Sequence, residues 1–378
     1  MKYYIIAGEA SGDLHASNLI KSISQFDNEA EFRGFGGDKM MESGADIVVH
    51  YSKMAYMGAI EVLMNLRHIK NNFSLCYSDL LSWKPDAVIL VDYAGFNLRV
   101  ARFAKEHGIT TLFYISPKVW AWKKSRIKKI KAWVDQLYLI LPFETEYFAK
   151  RGYKQTFYVG NPLSDSIGNF RAENMVNESE FRDRYNLNDK PIVAILAGSR
   201  KQEVKLCLPD MLAAADCFPD YKFIVAGAPS LSEDFYAPFL KDHQATLVMN
   251  QTYQLLSIAE AAVVTSGTAT LETALFKVPQ VVVYRFNHLS YAIFSPFVKL
   301  QVKYFSLVNL IMDKPIVKEF LQYNLRKKIK SELAQILYDE DYREQMLKEY
   351  NSLAEQVGGP GTSERTARHM VHFLKGGK

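Results

Sequence analysis

Three cysteines, Cys76, Cys207 and Cys217, are all that the 378 residues contain. So few, with no paired spacing, exclude a disulfide scaffold or a thiolate metal site and read as buried small hydrophobes in a reducing compartment. Long apolar runs are missing too. The greasiest stretch, residues 286–312, is broken by His288, Lys299 and Lys303, well short of the roughly eighteen uninterrupted apolar residues of a membrane span. At the start only Tyr3–Ala7 is apolar, too short for the core of a secretory signal, so a cytosolic protein is expected. The eight histidines show no H-E-x-x-H or paired ligand spacing, and the one D-x-D, residues 339–341, sits in a polar helical connection, so neither a metal nor another cofactor is expected. Also absent are G-x-x-x-x-G-K-[ST] and G-x-G-x-x-G, which excludes a P-loop ATPase and a simple dinucleotide enzyme.

What is present is enough for two cores: 48% of the residues are hydrophobic. Short β-branched runs at Tyr3–Ala7, Ala87–Val91, Thr111–Ile115 and Gln136–Leu141 alternate with helical patterns. The alternation resumes at Ile192–Leu196, Lys222–Ala226, Thr246–Met249, Ala261–Thr265 and Gln280–Tyr284. Such alternation predicts an α/β protein of two Rossmann-like, doubly wound domains facing a central cleft. The polar stretch 161–190 places the boundary, giving residues 1–165 and 166–357. After residue 318 the pattern is helical and charged. Gly358-Gly359-Pro360-Gly361 stops it, and Thr362 starts a last helix ending at Leu374. That helix either folds back on the first domain or pairs with a second copy as a homodimer.

The net charge of +5 is unevenly spread. Lys118, Lys123, Lys124, Arg126, Lys128, Lys129 and Lys131 crowd one stretch that holds no acid, together with Trp120 and Trp122. Basic and indole groups together suit an anionic membrane surface, a phosphorylated lipid or single-stranded nucleic acid; core and rim packing is the plain alternative for the indoles. The Met- and Leu-rich segment 54–66, with Met57 and Glu61, reads as core packing or an acyl-chain groove.

Two strand-turn-helix units carry turns of opposite charge. Gly198-Ser199-Arg200 opens a helix, where free N–H groups and a forked guanidinium suit a diphosphate, against the plain reading of a solvated Arg. Glu9, Ser11 and Asp13 in the first turn would repel a diphosphate and suit sugar hydroxyls. Ser266, Gly267 and Thr268 follow another strand and let a ligand approach the backbone, while Glu272 is placed to accept from a ribose; an ordinary N-cap is the alternative. Asp92 ends the strand Ala87–Val91, where a carboxylate can serve as a general base or simply as a cap.

Taken in order, AGEASGD (7–13), MGAIEVL (57–63), VDYAGFN (91–97), SPKVWAW (116–122), LPFE (141–144), AGSRKQEV (197–204) and SGTATLE (266–272) closely resemble the lipid A disaccharide synthase family. The resemblance runs from residue 3 to about 325. It implies a metal-independent, inverting glycosyltransferase of the GT-B type at the cytoplasmic face of the inner membrane of a Gram-negative bacterium, with lipid rather than nucleic acid as partner. The implied reaction joins UDP-2,3-diacylglucosamine to 2,3-diacylglucosamine 1-phosphate, giving the β-1,6-linked disaccharide 1-phosphate and UDP. By the same resemblance Asp92 is the base, Arg200 meets the diphosphate, Ser266–Thr268 the phosphates and Glu272 the ribose, with Asn309 and Gln322 nearby. A UDP-sugar 2-epimerase of the same fold and a membrane-surface binding protein are the alternatives. Val308 stands where the family pattern has Pro, and Lys123 where it has Arg.

Overall fold

The computed structural model describes residues 1–54, 66–120, 125–173, 176–286 and 303–377. The chain divides into two compact units, Met1–Asp165 with Gly359–Lys378, and Ser166–Gly358. Strands of unit 1 are β1 (Lys2–Ala7), β2 (Glu31–Gly36), β3 (Ala45–His50), β4 (Ala87–Val91), β5 (Thr110–Tyr114), β6 (Gln136–Leu139) and β7 (Thr156–Tyr158). Among the described residues they form one parallel sheet in the order β3-β2-β1-β4-β5-β6-β7. The helices up to the crossing between units are α1 (Ala10–Phe26), α2 (Asp38–Glu42), α3 (Leu66–Trp83), α4 (Ala94–Glu106), α5 (Arg126–Trp133), α6 (Glu144–Ala149) and α7 (Pro162–Glu173).

Parallel strands covered on both faces are apolar at every position, and β4, Ala87-Val88-Ile89-Leu90-Val91, is wholly buried. Its alternate side chains serve two cores. Ala87, Ile89 and Val91 pack with Tyr3, Ile5 and helix α1. Val88 and Leu90 face the other way, with Tyr4, Ile6 and helix α4. Phe32, with Glu31 and Arg33 around it, shows why β2 is hard to read from sequence: the strand mixes charges and two glycines with its apolar residues.

Unit 2 holds α8 (Glu178–Arg184), β8 (Ile192–Leu196), α9 (Lys201–Ala215), β9 (Lys222–Gly227), α10 (Glu233–Leu240), β10 (Thr246–Met249), α11 (Thr252–Ile258), β11 (Ala261–Thr265), α12 (Thr268–Leu275), β12 (Gln280–Tyr284), α13 (Leu307–Met312), β13 (Glu319–Leu321), α14 (Leu325–Tyr338) and α15 (Glu340–Val357). Its described strands form a second parallel sheet in the order β10-β9-β8-β11-β12-β13. Where the sequence pattern turns helical after residue 318, the chain first adds Glu319–Leu321 to this sheet. A three-residue strand is too short to show a period.

The last helix, α16 (Thr362–Leu374), lies against α1 and puts Ala367, Met370 and Val371 into the core of unit 1. Asp165 holds its start. The buried carboxylate accepts from the backbone N–H groups of Gly361 (2.6 Å), Thr362 (2.9 Å) and Ser363 (2.8 Å) and from the Ser363 hydroxyl (2.8 Å). Four donors on one carboxylate act as a helix cap supplied from elsewhere in the chain. Asp165→Ala is expected to lower the unfolding free energy of unit 1 by about 2–3 kcal/mol, because the donors stay buried without an acceptor. Urea denaturation checks this, and an unchanged midpoint would refute it.

Candidate active site

Each sheet reverses its strand order once, between β1 and β4 in unit 1 and between β8 and β11 in unit 2. In open α/β sheets, ligands bind beyond the carboxyl ends of the strands at such a reversal. Ala7 pairs with Val91, and Leu196 with Val264. The turns that follow therefore stand side by side: Gly8-Glu9 beside Asp92-Tyr93 in unit 1, and Gly198-Ser199-Arg200 beside Ser266-Gly267-Thr268 in unit 2.

In unit 1, Asp92 and Tyr93 both adopt left-handed backbone conformations, φ 45° and 43°. Each costs a residue with a side chain about 1–2 kcal/mol, and the surroundings over-determine the turn. Asn97, buried on α4, donates its Nδ2 to the carbonyls of Asp92 (2.8 Å), Val91 (3.2 Å) and Ile6 (3.4 Å). The Tyr93 hydroxyl donates to the Met54 carbonyl at 2.8 Å. The Tyr93 ring lies so close over Gly8 that a Cβ there would sit 2.4 Å from a ring carbon. The result is a rigid turn that displays the Asp92 side chain at the surface.

Burial raises the Asp92 carboxyl above the usual Asp range, while Lys118, the Tyr93 N–H and Arg126 pull it back down. The residue is nonetheless solvent-exposed. Water reaches the carboxylate from one side while protein displaces it from the others, and that access limits the rise. Such a group is accessible, and burial makes it a stronger base than an ordinary Asp carboxylate. Glu9 is half-buried and Ser11 exposed at the start of α1, whereas Asp13 is turned inward. The Asp13 carboxylate accepts from the N–H groups of Gly37 (2.7 Å), Lys39 (3.1 Å) and Met40 (3.2 Å), capping α2.

The turn after β5, next along the sheet, is fixed by a group the sequence did not single out. Glu144, on α6, is fully buried. Its Oε1 accepts from the Ser116 hydroxyl (2.5 Å) and the Trp120 indole N–H (3.2 Å), and its Oε2 from the Leu141 N–H (3.1 Å). Burial pushes its carboxyl up to about 7, against the pull of those donors. A raised pKa means that the folded state favours the proton. This contribution to stability is complete below the ordinary carboxyl range and is lost as pH rises through about 7. Glu144→Gln keeps the shape without the proton, so the variant is expected to lose a dependence of up to about 1.4 kcal/mol per pH unit between pH 5 and 7. Urea midpoints across that range report it, and parallel profiles for variant and wild type would refute it.

In unit 2, α9 and α12 both begin without a side-chain cap, which leaves their first N–H groups as donors for an anion. Arg200 is exposed, and among the described residues its guanidinium donates only to Glu203, at 3.3 Å. Gly198 has φ +104°, and the Glu203 side chain packs against it. Ser199 is exposed and accepts from the Ser230 hydroxyl through its carbonyl at 2.9 Å. Gly267 and Thr268 are open, while Ser266 donates to the Phe305 carbonyl at 2.8 Å. Glu272 is half-buried, its carboxyl raised by burial, and Oε1 accepts from the Tyr253 hydroxyl at 2.8 Å.

Two further sequence candidates are engaged within the fold. Asn309 donates to the Val317 carbonyl and Glu319 (both 2.8 Å) and accepts from the N–H groups of Ile316 (2.7 Å) and Val317 (2.9 Å). Gln322 accepts from the Phe286 N–H (3.0 Å) and donates to the Phe286 carbonyl (3.2 Å). Both thus brace the chain around β12 and β13. Met57, Glu61 and Trp122 lie outside the described residues. Asn97 was legible as the one polar member of an otherwise apolar helical stripe with Val100, Ala101 and Ala104; nothing local marked Tyr253.

The family model for lipid-A-disaccharide synthetase matches residues 3–370. The chain belongs to the lipid-A-disaccharide synthetase family. Lipid-A-disaccharide synthases of Trichlorobacter lovleyi and Coxiella burnetii are each 34% identical, and that of Syntrophus aciditrophicus 37%; every one of these matches covers 98% of this chain and 97% of the relative. Among solved structures, UDP-GlcNAc 2-epimerase from Neisseria meningitidis superposes with a TM-score of 0.72 at 12% identity, covering 98% of this chain and all of the other. The calicheamicin glycosyltransferase gives 0.58 at 13%, covering 99% and 98%. At such identities these likenesses show the fold alone, the GT-B arrangement that this synthetase family member shares.

Proposed function

We propose that the protein is a glycosyltransferase that joins UDP-2,3-diacylglucosamine to 2,3-diacylglucosamine 1-phosphate. The observation that carries the reading is the chemistry at the two strand reversals: an accessible carboxylate at one, and two uncapped helix starts with an exposed guanidinium at the other. Asp92 takes the proton of the acceptor 6-hydroxyl as its oxygen attacks the donor's anomeric carbon. The bond to the diphosphate breaks in the same step, with inversion, and UDP leaves. Arg200 and the N–H groups at Gly267 and Thr268 balance the charge that develops on the diphosphate, while Ser199, Ser266 and Glu272 hold the nucleotide. Glu9 and Ser11 meet the acceptor sugar, and Asp13, Asn309 and Gln322 keep the turns in place.

The 98% coverage at about 34% identity supports the same substrates as those of the named relatives. No helix among the described residues is long and apolar enough to cross a membrane. Access to acylated substrates is by peripheral contact with the cytoplasmic face of the inner membrane, through the basic segment that includes exposed Lys128 and Lys131. The test is a reaction of purified protein with both acylated sugars, the product read by mass spectrometry. No disaccharide would sink the proposal, and conversion of the UDP-sugar without any acceptor would make the protein an epimerase.

A further inference from the structure

Helices α3, α4 and α5 of unit 1 border a half-open groove of about 700 Å³. Ala94 and Gly95, which follow directly on the Asp92-Tyr93 turn, line its near end. Its charge is one-sided. Arg99 and Arg102 from α4 and Arg126 and Lys129 from α5 all line it, against the single carboxylate of Glu106. That carboxylate is engaged by Arg102 at 2.7 Å. Arg99 and Lys129 make no ion pair among the described residues. Each instead lies over an aromatic ring, Arg99 over Phe73 (5.3 Å) and Lys129 over Trp133 (5.8 Å). A ring beneath a cation steadies it and leaves its N–H donors pointing elsewhere. Trp133 and Phe103 line the same recess and give it an apolar wall.

We infer that this groove is the phosphate subsite of the acceptor, receiving a phosphomonoester carried on an acylated sugar. A dianionic phosphate meets several donors there, and guanidinium groups grip it through paired hydrogen bonds. A groove of this volume can seat a sugar phosphate headgroup, with Arg99, Arg102 and Lys129 exposed along it. The groove adjoins the reaction centre through Ala94 and Gly95, the residues next after Asp92 and Tyr93, and the Arg126 charge favours the ionised form of Asp92. One sugar can then place its 6-hydroxyl at Asp92 while its anomeric phosphate, across the ring, enters the groove. The inference rests on the glycosyl transfer proposed above.

The test compares wild type with Arg99→Gln/Lys129→Gln, both exposed positions, in neutral detergent micelles. Two acceptors are used, 2,3-diacylglucosamine 1-phosphate and the same sugar without its phosphate. The KM for the phosphorylated acceptor is expected to rise by roughly tenfold or more in the variant, the loss of charge-assisted hydrogen bonds. The KM for the UDP-sugar should stay put, and variant and wild type should converge on the phosphate-free acceptor. An equal loss on both acceptors, or no loss on the phosphorylated one, overturns the subsite. So does an effect seen only on phosphatidylglycerol vesicles and absent in micelles, which would make the groove a membrane contact. If wild type forms no disaccharide at all, the reaction itself has failed, and calorimetric binding of the sugar phosphate decides separately: binding at least tenfold weaker in the variant supports the subsite, and equal binding overturns it.

Discussion

Asp92→Asn is expected to lower kcat by roughly 10³-fold with little change in either KM, the contribution typical of a positioned general base. Asparagine suits the test because it keeps the size of the side chain and tolerates the left-handed backbone that residue 92 adopts at φ 45°. Asn97 would go on holding the 92 carbonyl, so melting temperature should not move. The amide cannot accept the proton of the acceptor hydroxyl. The pH profile adds a second readout. Burial raises the Asp92 carboxyl, so wild-type kcat should fall on the acid side at a pH above the ordinary Asp range, and D92N should lack that limb. A variant retaining more than about a tenth of wild-type kcat would remove Asp92 from the role of base.

Arg200→Ala is expected to cost roughly 10²–10³ in kcat, as for other preorganised donors aimed at developing negative charge. The side chain is exposed and, among the described residues, donates only to Glu203, so its loss should leave the fold of unit 2 alone. Arg200→Lys should recover only part of the rate, because an ammonium keeps the charge without the fork. Inhibition by UDP should weaken in parallel. Full activity with either substitution would leave the diphosphate to the helix starts of α9 and α12 by themselves.

How far these assignments could be read from sequence depended on whether a residue's partners were local. Buried parallel strands such as Ala87–Val91 and Ile192–Leu196 are continuous apolar runs, and the turns after them were therefore found with the strands. β2, with Arg33, Gly34 and Gly36 among its six residues, and three-residue β7 and β13 carry no such run. Asp92 and Arg200 could be placed because each stands at the end of a legible strand. Asp13 and Gln322 looked equally chemical, yet their partners on Gly37 and Phe286 depend on chain crossings that no local pattern records, and Asn309 is taken up by the loop that returns at Ile316 and Val317. Glu144 shows the converse, since its carboxyl accepts from Ser116 and Trp120 in another turn.

The clasp of Asp165 on α16 also sets an order of events during synthesis. Unit 2, Ser166–Gly358, is continuous in the chain, whereas unit 1 needs Gly359–Lys378 to cover α1. Domains begin to fold as they emerge. On a ribosome, therefore, the earlier-made sheet of unit 1 waits with the side of α1 that α16 takes uncovered until the whole of unit 2 has been made. The part translated first is the part completed last.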